Sequence, residues 1–253
     1  MQLGFFSSPK ASLAFPLALL LLLPGCNNGN AAGGRSSEGG AASTKTGAYV
    51  LVTQVRPEVP EKFFVSERHA HEVCATVARH QNRPVKPFPT LPADFVYERN
   101  THASDGVRTM SRKVISVADT RNMSIDTGCE VRLATQGKHS VVSNGEEREA
   151  GWNEDGKVEI SEPTPIGAEP VRASLLASYA TPKRVHGVPL KCDAQGDCII
   201  DSLVALVAEG VRPVVAVSRI DDVRTFGTVL VNEPVSFSTG KATDPTLFSL
   251  EAK

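Results

Sequence analysis

Apolar residues crowd one stretch near the start of the chain and are scarce in the stretch that follows. Ala11–Pro24 is apolar at all but one position and is preceded by a single basic residue, Lys10. A run of about 14 residues is too short for a helix that crosses a bilayer, which needs roughly 20. It fits the apolar core of a secretory signal, so we predict that residues 1–25 are a signal peptide.

The next segment, residues 27–47, consists of Asn, Gly, Ala, Ser, Thr and a few charged residues. Because it has no large apolar side chain to bury, we expect it to form a flexible tether. About 20 such residues have a root-mean-square span of roughly 25 Å. We therefore divide the chain into a signal (1–25), a tether with its first cysteine (26–47) and one globular domain (48–253).

From residue 48 the apolar positions follow the periods of regular structure. Tyr49–Val55 (YVLVTQV) predicts a first strand, and Ser66 is placed to cap a helix that ends at His80. Arg83–Pro92 contains four prolines, which predict an extended connector. The apolar residues of the helix share the spacing of one buried face: Ala70, Val73, Cys74, Val77 and Ala78.

Beyond Phe95 the pattern favours short strands separated by turns. Asn144-Gly145 and Glu154-Asp155-Gly156 are turn sequences. Pro234 predicts that the last strand lies at an edge or contains a bulge, with Val229, Val231, Val235 and Phe237 on one face. The predicted strands are Lys113–Val117, Cys129–Ala134, Ser140–Ser143, Val158–Ile160, Leu175–Tyr179, Leu203–Ala208, Val211–Ser218 and Thr228–Ser238.

These elements predict a mainly β, α+β domain: a curved antiparallel sheet with one packed N-terminal helix. Leu203–Ala208 is also compatible with a helical turn, because short apolar runs are ambiguous. Hydrophobic residues make up 41% of the chain, which is enough for a sizeable core. The formal net charge is −1 and the basic residues are scattered among acids. This balance gives no electrostatic case for nucleic acid or for a polybasic membrane patch.

A single cysteine marks the end of the apolar run, in Leu23-Pro24-Gly25-Cys26. This stretch resembles the lipobox of bacterial lipoproteins. The resemblance implies that Cys26 is acylated, becomes the new N-terminus and anchors the chain to a membrane of the cell envelope. Asn27 in place of Asp favours the outer membrane, with the domain in the periplasm. The alternative is cleavage a few residues later, which discards Cys26.

Four further cysteines follow in the predicted domain: Cys74, Cys129, Cys192 and Cys198. An even number in an exported chain indicates two disulfides, and four cysteines allow three pairings. We favour Cys192–Cys198, which closes a short polar loop across a hairpin, and Cys74–Cys129. A zinc site is the alternative, but no CxxC spacing occurs.

Two C-terminal stretches resemble another group of envelope proteins. Asp244–Phe248 and Val185–Cys192 look like segments of the LolA/LolB-like lipoprotein carriers. The resemblance implies a half-barrel sheet around a hydrophobic cavity, with a helix against its concave side. A common fold would not establish a common function.

Side chains that carry chemistry do not form a recognisable motif. His69 and His71 point apart on a helix, so they cannot share a metal ion, and we expect them to face solvent beside the packed helix. The isolated histidines, His102, His139 and His186, are expected to be surface or hydrogen-bonded residues. For Trp152 we favour a partly buried packing role over ligand binding. For the acids Asp193, Asp197 and Asp201 we favour turn chemistry over calcium binding.

We therefore predict no catalytic residue, no metal ligand and no cofactor. The leading hypothesis is a non-enzymatic lipoprotein that binds a hydrophobic ligand or an envelope partner in a groove of the sheet. The second is a structural or assembly lipoprotein that acts through protein contacts. The third is a hydrolase or metal-dependent enzyme whose site residues are scattered in sequence.

Overall fold

An antiparallel sheet of twelve strands forms the described part of the chain in this computed structural model. The described residues are 47–166, 177–203, 214–240 and 243–250. The strands are β1 Ala48–Pro57, β2 Glu98–Asp105, β3 Thr109–Asp119, β4 Arg132–Ser143, β5 Glu146–Trp152, β6 Val158–Ile160, β7 Thr164–Pro165, β8 Thr181–Val185, β9 Val188–Cys192, β10 Cys198–Ile200, β11 Val215–Ile220 and β12 Leu230–Thr239.

The sheet is open and curved, and its order is β6-β5-β4-β3-β2-β1-β12-β11-β10-β9-β8, with β7 paired to β5. The first strand therefore lies in the middle, between β2 and the last strand. Two α-helices lie wholly within the described residues, α1 Val65–His80 and α2 Val223–Phe226, together with three 3-10 turns at Pro60–Lys62, Asp201–Leu203 and Pro245–Phe248. The prediction of a mainly β fold is confirmed. No helix among the described residues is long and apolar enough to cross a membrane.

The alternation of β1 defines the two sides of the sheet. Every second residue of this strand, including Tyr49, Leu51 and Val55, is buried on what we call the first face. Val50, Val52 and Gln54 point to the opposite side, the second face. The predicted strand Tyr49–Val55 is confirmed because both of its neighbours pair with it over most of its length.

Most of the core lies on the first face. One cluster joins Tyr49 and Leu51 to the apolar side chains of β9, β10 and β11. A second cluster, around Phe63 and Phe95, packs the start of α1 and the proline-rich connector against β1. The second face has a smaller cluster at one end, where Phe248 packs against residues of β2, β3 and β4.

Helix α1 ends at His80 as predicted, but two details of its prediction are wrong. Its N-cap is Phe64, which has φ 62° and forms no side-chain cap, so Ser66 lies inside the first turn. Packing of the Phe64 ring against Phe63 and Phe95 fixes this entry instead. The connector of residues 83–92 is extended, as predicted.

The buried face of α1 also differs from the predicted one. Val73 and Val77 are exposed (54% and 41%), whereas His71, Ala75 and Ala78 are buried. Both sets follow helical spacing, and they differ by a rotation of about one residue. The Cys74–Cys129 disulfide selects the observed rotation because it ties one side of the helix to the loop before β4.

The last strand shows why the predicted face of residues 229–237 is largely wrong. β12 lies inside the sheet, so Pro234 is not at an edge. The predicted bulge is present: Val52 pairs with Ser236 and Thr53 with Pro234, which leaves Val235 as the extra residue. This residue reverses the alternation, so Leu230, Asn232 and Pro234 are buried on the first face.

Strand β4 begins later than predicted. Cys129 and Val131 are buried in the loop that precedes it, and Cys129 has φ 58°, which is not an extended conformation. Leu133 is exposed and lies on the second face. The predicted turn at Asn144-Gly145 is confirmed, since both residues have positive φ and connect β4 to β5.

Both favoured disulfides are present, Cys74–Cys129 and Cys192–Cys198. The second joins directly paired residues of β9 and β10, as expected for a hairpin. The remaining predicted strands coincide with β3, β6 and β11 where these are described. Residues 177–179 are not a strand, and the rest of Leu175–Tyr179 and most of Leu203–Ala208 lie outside the described residues. The signal, Cys26 and the tether up to residue 46 also lie outside them.

Candidate binding surface

Two of the histidines considered in the sequence, His71 and His139, are buried and form hydrogen bonds to backbone carbonyls. His71 is buried and its Nε2 donates to the Lys86 carbonyl at 2.9 Å, so the expectation that it faces solvent is wrong. His69 is exposed, as expected. Cys74 is used by its disulfide, so this stretch offers no three-residue metal site. Among the described residues no group of three or more His, Cys, Asp or Glu side chains is arranged to hold a metal ion.

The isolated histidines lie in three different environments. His139 is buried and its Nε2 donates to the Leu247 carbonyl at 3.0 Å, and burial lowers its pKa. Burial also lowers the pKa of His102, which lies on the first face of β2. His186 is exposed, with Nε2 3.5 Å from a carboxylate oxygen of Glu233.

The three acids of the Cys192–Cys198 region are explained by turn and ion-pair contacts. Asp193 accepts the backbone N–H groups of Gln195 and Asp197, each at 3.0 Å. Asp201 forms an ion pair with Lys191 at 2.9 Å. The preference for turn chemistry is confirmed at Asp193.

Trp152 lies half-buried at the end of β5, on the second face of the sheet. Its indole covers Gly137 on β4, where any side chain would overlap the ring. The Arg112 guanidinium carbon lies 5.4 Å from the ring centroid, within the range of a cation–π contact. The packing role predicted for Trp152 is present, and the ring also forms part of a charged surface.

That surface is built from three arginines on neighbouring strands. Arg99 on β2, Arg112 on β3 and Arg148 on β5 are all exposed and all point to the second face. We call these three residues and Trp152 the arginine–tryptophan face. From strand spacing and rise, the arginines follow a diagonal with Cα atoms about 8 and then about 12 Å apart.

The three arginines of this face are not neutralised by ion pairs. None of its three arginines forms an ion pair with another described residue. Carboxylates on the same side include Asp105, which binds Arg108 at 2.8 Å, Glu233, which binds Arg56 at 3.0 Å, and Glu146 at a hairpin end. The arginines therefore keep their guanidinium groups available for an anion.

Two other acids of the same strands, Glu98 and Glu149, lie on the first face, where lysines neutralise them. Glu98 pairs with Lys113 and Glu149 pairs with Lys138, each at 2.6 Å. Between β2 and β5, the three unpaired arginines lie on the second face and these two acid–lysine pairs lie on the first. This separation follows from the two-residue period of strands, which sends adjacent side chains to opposite sides.

A shallow depression of about 390 Å³ lies on the first face beside Gly151. Its walls carry the Lys138–Glu149 pair and the Lys157–Glu159 pair, the latter at 2.8 Å. Because its walls carry these charged side chains, the depression is not an apolar groove. The groove of the leading hypothesis stays a prediction.

No protein-family model, curated protein or solved structure matches this chain. The resemblances to bacterial lipoproteins and to LolA/LolB-like carriers therefore stay predictions.

The arginine–tryptophan face was missed in the sequence because the charges were considered along the chain. Glu98-Arg99 and Arg148-Glu149 are neutral as dipeptides, which makes the basic residues seem scattered. Inside a strand the two members of each pair face opposite sides. Counting charges at alternate positions of the predicted strands is the signal that finds this face.

Proposed function

We propose that this protein is a lipid-anchored protein of the bacterial cell envelope that acts by binding an anionic partner. The contact surface is the arginine–tryptophan face. Its three unpaired arginines are the observation that carries the proposal, because exposed cations without an ion-pair partner attract negative charge.

Two features support export and anchoring. The lipobox-like sequence ending at Cys26 supports acylation, and the two disulfides are typical of chains that fold in an oxidising compartment. A stable anchor requires more than one acyl chain, as the resemblance to lipoproteins implies.

Binding rather than catalysis is supported by the way the polar groups are used. His71 and His139 each donate to a backbone carbonyl, which fixes the rings within the fold. Arginine guanidinium groups bind carboxylates and phosphates through paired hydrogen bonds and change no protonation state at neutral pH. The exposed arrangement of the three guanidinium groups suits recognition of a partner.

The location is tested with Cys26→Ser in the native host. We expect the variant to leave the membrane fraction, because it has no thiol to acylate. Mass spectrometry of the mature wild-type protein should detect fatty-acyl groups attached to residue 26. Unchanged fractionation, or a chain that begins beyond Cys26, would contradict the anchor.

Anion binding is tested by the salt concentration that elutes the protein from phosphocellulose. We expect R99Q/R112Q/R148Q to elute at a clearly lower salt concentration than the wild type. The control, K62Q/R79Q/K183Q, removes three exposed cations elsewhere. Equal shifts for the two variants would show a net-charge effect only and would refute this binding surface.

A further inference from the structure

We infer that the anionic partner of the arginine–tryptophan face is the phospholipid headgroup layer of the membrane that carries the anchor. This inference rests on the proposed function and adds the chemistry of the partner. Three observations support it: the arrangement of the charges, the apolar residues beside them and the position where the chain enters the sheet.

The arginines are spread out rather than converging on one point. Arg99 and Arg148 lie at opposite ends of the diagonal, with Cα atoms about 20 Å apart by strand geometry. Side chains at such separations cannot enclose one small anion. They match a planar array of separate negative groups, as a lipid surface presents.

Apolar side chains accompany the charges on the same side of the sheet. Trp152 is half-buried, and Ile160 on the adjacent strand β6 is 51% exposed. Tryptophan is enriched at the headgroup level of membranes because its ring is amphipathic. An exposed isoleucine beside it adds a group that gains from contact with acyl chains, which favours a lipid surface over an acidic polysaccharide.

The chain enters the sheet close to this face. Ala48 begins β1, and its Cα lies about 17 Å from that of Arg112 by strand spacing and rise. The tether predicted from the sequence has a span of roughly 25 Å, which is longer than this distance. The arginine–tryptophan face can therefore reach the membrane to which Cys26 is attached.

Anchoring also explains why three arginines are enough for contact with the membrane surface. Each basic side chain near an anionic surface strengthens binding about five-fold, so three give weak binding by themselves. A chain already attached to the membrane meets its surface at a high effective concentration. The weak contact then sets which side of the sheet lies on the membrane.

Vesicle sedimentation tests this with the chain from residue 26 onward carrying Cys26→Ser, so that no acyl chain contributes. We expect it to sediment with vesicles of phosphatidylcholine and phosphatidylglycerol (3:1) and not with phosphatidylcholine alone. R99Q/R112Q/R148Q should weaken this partition by at least ten-fold, and K62Q/R79Q/K183Q should leave it within two-fold. Ile160→Ser should weaken it at constant charge, whereas Ile220→Ser, which is exposed on β11, should not.

The outcomes separate this inference from the proposed function. Arginine-dependent retention on phosphocellulose without binding to the anionic vesicles would overturn the lipid assignment, and retention on an immobilised polyuronate would then indicate an acidic polysaccharide. Equal binding to both kinds of vesicle, or equal loss in the two triple variants, would also overturn it. If retention on phosphocellulose also did not depend on the three arginines, the result would contradict the proposed function itself.

Discussion

At the scale of single residues, the side of the sheet on which a charge lies determines what it does. Arg148 and Glu149 are adjacent in sequence, but Glu149 binds Lys138 on the first face and Arg148 is unpaired on the second. The chain is nearly neutral, so its net charge does not reveal this arrangement. A local group of three unpaired arginines is compatible with a net charge of −1.

Gly137 and Gly151 give a matched pair of substitutions beside Trp152. Gly137→Ala places a methyl group against the indole ring and the Lys113 carbonyl, so it should lower the free energy of unfolding by about 1–3 kcal/mol. The nearest atom to a methyl group at Gly151 is 3.9 Å away, so Gly151→Ala should be close to neutral. Urea denaturation of both variants measures the difference, and equal effects would contradict the packing of Trp152 on Gly137.

Burial of His102 and His139 predicts that stability falls in mild acid. Burial lowers the pKa of both side chains, so below about pH 6.5 the unfolded chain binds protons that the folded chain does not. The free energy of unfolding should therefore decrease between pH 7.5 and 5.5. Asp119 does not contribute in this window, because its hydrogen bonds with Arg121 hold its pKa at about 2.

Urea denaturation at the two pH values measures this effect. His139→Gln should reduce the pH dependence, because it removes one of the two histidines whose pKa is lowered by burial. A wild-type stability that is unchanged from pH 7.5 to 5.5 would show that neither histidine is held in its neutral form.

At the scale of elements, the sequence predicted a helix, strand or turn correctly where a few neighbouring residues determine it. The first strand, the end of α1 and the Asn144-Gly145 hairpin were predicted because each depends on a few neighbouring residues. The buried faces of α1 and β12 were not. The first depends on a disulfide to Cys129, and the second on a bulge at Val235, and neither orientation is encoded in local hydropathy.

The disulfides should stabilise the domain to different extents. Chain-entropy estimates give about 4 kcal/mol for Cys74–Cys129, which closes 55 residues, and about 2.4 kcal/mol for Cys192–Cys198, which closes 6. C74A/C129A should therefore reduce the free energy of unfolding more than C192A/C198A does. Urea denaturation compares them, and the reverse order would mean that local packing outweighs loop closure.

At the scale of the whole molecule, strand order brings together residues that the sequence keeps apart. Arg99 and Trp152 belong to one surface because β2, β3, β4 and β5 follow one another in the sheet. The sequence predicted an antiparallel sheet but not its order, since long-range pairing leaves no local pattern. The arginine–tryptophan face could therefore be recognised only after the register was known.

Trp152 is the only tryptophan, so its fluorescence reports directly on the arginine–tryptophan face. The most direct test is to titrate the chain from residue 26 onward, carrying Cys26→Ser, with phosphatidylglycerol-containing vesicles while recording Trp152 emission. The account predicts a saturable blue shift that high salt and R99Q/R112Q/R148Q abolish and that phosphatidylcholine vesicles do not produce. Vesicle binding that leaves the emission of Trp152 unchanged would contradict it.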